Sequence, residues 1–238
     1  MLVEDLQKTL DELTLEREKE RHIGLAKKFK LNPQIRGIKT SLIRNVSKTY
    51  FAGVKEKSKQ EIFSICRELL ETGFGEEKVI AFDWAFHLRK RFEPPDFDIL
   101  ESWLGTYVQD WGACDDLCTH ALGAFIYQYP AYIQNLQEWT TSPNRWFRRG
   151  AAVSLIYSVR RGNQVDHVFT MADLLLRDRD DMVQKGYGWM LKVATHHIPD
   201  EVFAYIMKNK KDMPRTSLRY AIEKLPPERK KAAMKKDF

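Results

Sequence analysis

The sequence predicts an all-α chain wound as a helical-repeat solenoid of HEAT or armadillo type, with a concave basic groove. Three observations predict it. Apolar residues recur at helical spacing in one segment after another. Glycines and prolines cut the chain into pieces of roughly 12–18 residues, an ordinary helix length. Three of those pieces open alike, at intervals near the length of a two-helix repeat. Strand signals are scarce, with no clean alternation of apolar and polar residues between turn pairs.

Taken in order, residues 1–35 read as N-terminal capping helices, ending at Pro33 and Gly37. Ile62, Ile65, Cys66, Leu69 and Leu70 follow the i, i+3, i+4, i+7, i+8 pattern of one buried helix face. Val79, Phe82 and Phe86 form the next face, and Leu117, Ala121, Ala124, Phe125 and Tyr127 another. Leu174 and Leu175, then Val183, Trp189, Met190 and Val193, mark two more. Breakers fall between them at Gly53, Gly73, Gly75, Pro94, Pro130, Pro143, Gly162, Pro199, Pro214 and Pro226. This punctuation predicts about twelve to fourteen helices. Asp110, Asn144 and Asp180 stand where a helix starts, and their side chains can accept the orphan amide hydrogens of a first turn.

The repeat is read by laying Trp146–Leu155 over Val183–Lys192, an offset of 37 residues, and by shifting Trp146 back 35 to Trp111. Two helices per unit at a period near 37 is a solenoid signature. Equivalent helices then lie side by side and bring Trp111, Asp115, Arg149 and Trp189 into one groove. Trp111 and Asp115 are one helical turn apart. A tryptophan in an amphipathic helix ordinarily serves the core, and an aspartate in a first turn complements the helix dipole. An arginine in a first turn opposes that dipole and so invites a reason.

Charge points to a polyanion. The 238 residues carry a net +6, with 39 basic and 33 acidic side chains. Residues 1–120 hold 19 and 21 of these, and residues 121–238 hold 20 and 12, so the whole positive excess lies in the second half. Hydrophobic residues at 43% and charged residues at 30% suit a single globular domain over residues 1–238, with a basic tail at 226–238. No apolar run approaches the ~18 residues of a membrane span. The opening residues lack a secretion pattern, and three cysteines are too few for a disulfide framework. A cytoplasmic, nucleoid-associated or nuclear setting is expected, as is a monomer.

Several runs together carry a resemblance. They are Gly37-Ile-Lys-Thr40 with Leu42-Ile-Arg44, Trp111-Gly-Ala-Cys-Asp115, Gln128-Tyr-Pro130, Asn144-Arg-Trp-Phe-Arg-Arg149, Gln184-Lys-Gly-Tyr-Gly-Trp189 and Arg219-Tyr-Ala-Ile-Glu-Lys-Leu225. In order and spacing, from Arg36 to Leu225, the chain resembles the AlkD-like DNA alkylation-repair glycosylases, built of HEAT-like repeats. The resemblance implies a monofunctional glycosylase that removes cationic N3- and N7-alkylated purines from duplex DNA. It places the active-site tryptophan and aspartate on Trp111 and Asp115, the second tryptophan on Trp189, and the groove arginine on Arg149. One departure stands out: where the family has a tyrosine on an N-terminal helix, this chain reads Ala26-Lys-Lys-Phe-Lys30, leaving Phe29 or Lys28 for that place.

The residue types suit that reaction. An alkylated purine is already a cationic leaving group, so no general acid is required. The sugar develops oxocarbenium character, which a carboxylate stabilises and which a water oriented by it can quench. Tryptophan faces attract cations. Arg149 is expected to grip a phosphate, with Arg148, Lys185, Lys192, Arg215 and Arg219 extending the basic track. No cofactor is expected. Cys114, Cys118 and His120 lack further ligands at metal-binding spacing and read as buried thiols beside a histidine. His196-His197 reads as dipole complementation. Two readings from other classes remain: a catalytically silent solenoid that binds bent or branched DNA, and a protein-binding solenoid.

Overall fold

Helices alternate between two layers along the chain. The structure is a computed structural model and describes residues 2–16, 19–20, 23–24 and 34–235. The first layer is a ladder: α2 (Thr40–Ala52), α4 (Gly75–His87), α6 (Trp111–Leu117), α9 (Arg145–Val159), α11 (Asp181–Ala194) and α13 (Arg215–Ala221). A π-helical turn at Cys118–Leu122 carries α6 on into α7 (Gly123–Gln128) as one continuous rung. Each rung packs on the next in that order. Between the rungs run the helices of the flanking layer: α3 (Lys59–Glu71), α5 (Asp96–Thr106), α8 (Ile133–Trp139), α10 (His167–Leu175), α12 (Pro199–Asn209) and α14 (Pro227–Met234). Helix α1 (Leu2–Glu12) packs on α2 and α3. Among the described residues the extended backbone pairs only at one isolated bridge, Gln34 with Phe74. This is an all-α repeat solenoid.

The caps set the period. Asp110 accepts from the Ala113 amide, Asn144 from that of Trp146 and Asp180 from that of Met182, each at 2.9 Å. Each such cap is worth about 1 kcal/mol and fixes where its rung begins. The rungs start at residues 40, 75, 111, 145, 181 and 215, so the repeat is 34–36 residues long. The offset of 37 is therefore corrected. Matching Trp146 to Val183 follows composition, whereas the caps match Trp146 to Met182.

Two glycines let rungs approach. A Cβ on Gly123 would lie 2.7 Å from both the Cys118 carbonyl oxygen and the Tyr157 Cβ. One on Gly188 would lie 2.7 Å from the Ser217 carbonyl oxygen. No side chain fits there, so α7 seats against α9 and α11 against α13 at backbone distance. Aliphatic side chains fill the rest: Leu117, Leu155, Leu191 and Leu218 are fully buried. Truncating any of them to alanine costs about 2–5 kcal/mol.

The basic tail expected at residues 226–238, read from the sequence as a short basic helix or a frayed end, takes the helical form. Residues Pro227–Met234 form α14, with Ala233 buried against the fold. Lys210 Nζ donates to the Ala232 and Lys235 carbonyls at 3.2 and 3.0 Å, docking this helix. Arg215 donates to the Met234 carbonyl at 3.3 Å. Arg215, expected on the basic track, thus turns toward the last helix, because α14 offers it an acceptor. Lys28 and Phe29 lie outside the described residues.

Candidate active site

Counting from the residue that caps each rung, the fifth place holds Arg44 on α2, Val79 on α4, Asp115 on α6, Arg149 on α9, Lys185 on α11 and Arg219 on α13. All but Val79 are charged. Neighbouring rungs in one register bring these places side by side, and the single acid among four bases draws a partner from the next rung. Arg149 Nε donates to Asp115 Oδ1 at 2.8 Å and Arg149 Nη2 to Asp115 Oδ2 at 2.9 Å. Arg149 Nη1 donates to the Met182 carbonyl at the start of α11. Gly186 leaves room for this: a Cβ there would sit 3.2 Å from Arg149 Cγ.

The pair is largely sequestered. Arg149 is only 5% exposed. Burial pushes the Asp115 carboxyl above the ordinary carboxylate value, and the Arg149 guanidinium opposes that rise. Burial alone weakens the guanidinium, but Asp115 more than offsets it and holds the Arg149 proton firmly. The expectation for Arg149 is a grip on a DNA phosphate. Its donors face Asp115 and Met182, because a buried guanidinium takes the nearest acceptors inside the fold. The structure supplies a reason for such an arginine: it is the partner of Asp115.

A second network lies beside the first, and sequence reasoning missed it. Arg44 on α2 reaches Asp83 on α4 at 2.9 Å and Asp116 on α6 at 2.5 Å, tying three rungs. Ser47 donates to the other Asp83 oxygen at 2.5 Å. His120, in the π turn, lies 3.3 Å from Asp116 Oδ1, and that carboxylate's hydrogen bond raises the imidazole pKa above its ordinary value. Asp116 Oδ2 is buried and has no hydrogen-bond partner among the described residues. The cap register was the available signal for Arg44; nothing local marks Asp83 or Asp116.

Exposure separates the tryptophans. Of the six, Trp84, Trp103, Trp139 and Trp146 are buried in the core. Trp111 is 43% exposed, one turn before Asp115. Trp189 is half-buried, on the turn of α11 that follows Gly186. The structure therefore brings Asp115 and Arg149 into contact, sets Trp111 on the same helix, and puts Trp189 on the rung that Arg149 touches.

Most of the proposed basic track is already engaged. Arg148 pairs with Asp178 at 2.7 Å and donates to the Ser142 carbonyl at 2.8 Å. Lys185 pairs with Asp181 at 2.5 Å and Lys192 with Glu223 at 3.0 Å. Arg219 is exposed and has no partner among the described residues. Cations stacked on aromatic rings at the far ends of the rungs were also missed. Arg89 lies 4.4 Å from the Phe86 ring, Arg161 3.5 Å from Tyr157, and Arg160 5.7 Å from Trp189. The first two are i, i+3 and i, i+4 pairs, a spacing visible in the sequence.

The model of the family described as "DNA alkylation repair enzyme" matches residues 9–225. No curated protein sequence matches the chain. Among solved structures, a predicted DNA alkylation repair enzyme from Enterococcus faecalis superposes with a TM-score of 0.75 at 15% identity, covering 86% of this chain and 94% of that one. At that identity the likeness concerns the fold.

Proposed function

The chain belongs to the family of DNA alkylation repair enzymes, and we propose that within it this protein is a glycosylase, hydrolysing the N-glycosidic bond of cationic N3- and N7-alkylated purines in duplex DNA. The observation that carries this reading is the Asp115 carboxylate, mostly buried, held through both oxygens by Arg149 at the foot of an exposed Trp111. A carboxylate so placed cannot rotate away. Each of its oxygens keeps a further lone pair for a developing oxocarbenium ion or for the water that attacks it. Because the charge develops in the transition state, its stabilisation raises the rate rather than the affinity.

Trp111 presents an open π face to a cationic base or sugar, a contact of about 0.5–2 kcal/mol. Trp189 supplies a second face from α11. Arg149 acts through Asp115: its hydrogen bonds and charge oppose the rise that burial imposes on the carboxyl pKa. It is a positioning residue, and phosphate contacts fall to groups such as Arg219, with Lys185, Lys192 and Arg148 at the rim. The protein works as a monomer, since one chain carries every named group.

The test is release of 7-methylguanine from methylated duplex by the purified protein and by Asp115→Asn. Release that collapses in the variant while duplex affinity holds supports the assignment. Duplex binding without release of any alkylpurine by the unmutated protein would instead establish the silent DNA-binding module. The absence of duplex binding even at low salt would leave only a protein-binding solenoid.

A further inference from the structure

A cavity of about 540 Å³ lies beside this site, between the loop that enters α4 and the loop that enters α6. Glu71, Gly73, Lys78, Tyr107, Gln109 and Asp110 line it. Its size falls within the range of small-molecule pockets. Asp110, one wall, is the chain neighbour of Trp111 and caps the helix that carries Asp115. Lys78 projects from the first turn of α4. It is half-buried, and its ammonium has no hydrogen-bond or ion-pair partner among the described residues. A lysine in this setting is unusual, because amines at the surface are solvated and amines inside are paired. Burial lowers its pKa from the ordinary lysine value, with Asp110 opposing the shift. The positive end of α4 disfavours the charged form further.

A half-buried pocket amine without an anionic partner loses its proton more readily than a surface lysine, and the free amine is a nucleophile toward carbonyl carbon. On the proposed function, the reaction at Asp115 leaves one carbonyl compound nearby: the abasic deoxyribose, whose ring-opened form carries an aldehyde at C1′. We propose, in departure from the monofunctional reaction that the resemblance implies, that Lys78 is the nucleophile of a second activity, forming an imine with that aldehyde and cleaving the strand on the 3′ side of the abasic site. The Lys78 nitrogen lone pair attacks C1′, the nitrogen loses its protons to solvent, and the former aldehyde oxygen leaves as water, giving the C=N bond. A cavity carboxylate, Asp110 or Glu71, then takes a proton from C2′. That electron pair forms the C2′–C3′ double bond, and the C3′–O bond breaks with its electrons on the 3′ phosphate. Water hydrolyses the imine and returns the free lysine. No oxidant, metal or cofactor enters the balance.

The inference rests on the glycosylase reading for its substrate, so the experiment supplies the abasic site ready-made. The full chain is incubated with a duplex containing one abasic site, and sodium borohydride reduces any imine to a stable amine. The expected result is a covalent protein–DNA adduct that peptide mapping places on Lys78. Lys78→Arg, which keeps the charge but not the nucleophile, should lower its yield on the order of tenfold or more. Lys90→Arg, in the exposed turn after α4, should leave the yield unchanged. Adduct yield should be half-maximal at a pH below the ordinary lysine value of about 10.4. Unchanged thermal melting of Lys78→Arg separates lost chemistry from lost fold. Failure to trap an adduct, an undiminished adduct in Lys78→Arg, or mapping to another amine would overturn the proposal. An adduct at Lys78 from a protein that releases no alkylpurine would uphold it and sink the glycosylase instead.

Discussion

Asp115 and Asp116 are adjacent on one helix, yet they belong to different halves of the molecule. Asp115 faces forward along the ladder and meets Arg149 from the next rung through both oxygens. Asp116 faces back and shares a single oxygen between Arg44, two rungs earlier, and His120 on its own rung. Successive helical residues point about 100° apart, so two neighbours can serve two opposite interfaces. The difference lies in what each arrangement leaves over. The Asp115 pair is closed by two hydrogen bonds from a buried guanidinium, with a carboxyl pushed up by desolvation, as suits a group that changes its interactions in a reaction. The Asp116 network spans three rungs and holds them in register, a structural task.

Substitutions in the two pairs sharpen or break that contrast, in order of size. Asp115→Asn should cut 7-methylguanine excision by about 10²–10³-fold, judged by loss of one transition-state electrostatic contact. Asp116→Asn should change excision by less than about tenfold; equal losses would erase the distinction. Next, Arg149→Ala leaves a buried carboxylate without its counter-charge, so unfolding should become easier by about 3–5 kcal/mol in denaturant titrations. The acid limb of its residual excision rate should also move to higher pH, since the guanidinium was holding the Asp115 carboxyl down. Arg149→Lys should restore only part of either loss, lacking the planar two-point grip.

Smaller is the effect of Arg44→Ala. Its pair is one-third exposed on the arginine side, so melting should register about 1 kcal/mol or less, with excision retained. The smallest effect is a pH dependence. The folded pKa of His120 is raised by Asp116, so this contribution to stability is full below about pH 6.5 and fades as pH rises through the folded value. The melting gap between the unmutated protein and Asp116→Asn should therefore narrow from about pH 6 to pH 8.5. A gap that widens over that range would remove His120 from the network.

Local chemistry made much of this architecture readable. Asp110, Asn144 and Asp180 announce their helices because a cap is decided within three residues. Trp111 and Asp115 announce a shared face because one turn separates them. What failed was the matching of distant segments. Trp146 with Val183 is a plausible pairing by composition, and it is one residue off the register that the caps define. The phosphate grip expected of Arg149 came with the resemblance, whereas the same caps align Arg149 with Asp115. The network of Arg44, Asp83 and Asp116 escaped notice for a related reason. The carboxylates that Arg44 meets lie 39 and 72 residues away, and only the packed ladder decides which side chain meets which. Lys78 was invisible because its environment is made by two loops, not by its own helix.

The π turn at Cys118–Leu122 gives the central rung a phase shift. A turn closed i to i+5 holds more residues than an α turn, so the side chains after it are rotated relative to those before it. The half before the turn is free to keep step with Arg44 and Arg149. The half after it is free to keep step with Ser154 and Tyr157, which Gly123 approaches too closely for any side chain. The rung works as a vernier between two scales that a straight helix would have to match at once. Removing one residue from the turn would force a choice of scale. Either the two carboxylates keep their arginines and the glycine seat is lost, or the seat survives and Asp115 rotates off its partner.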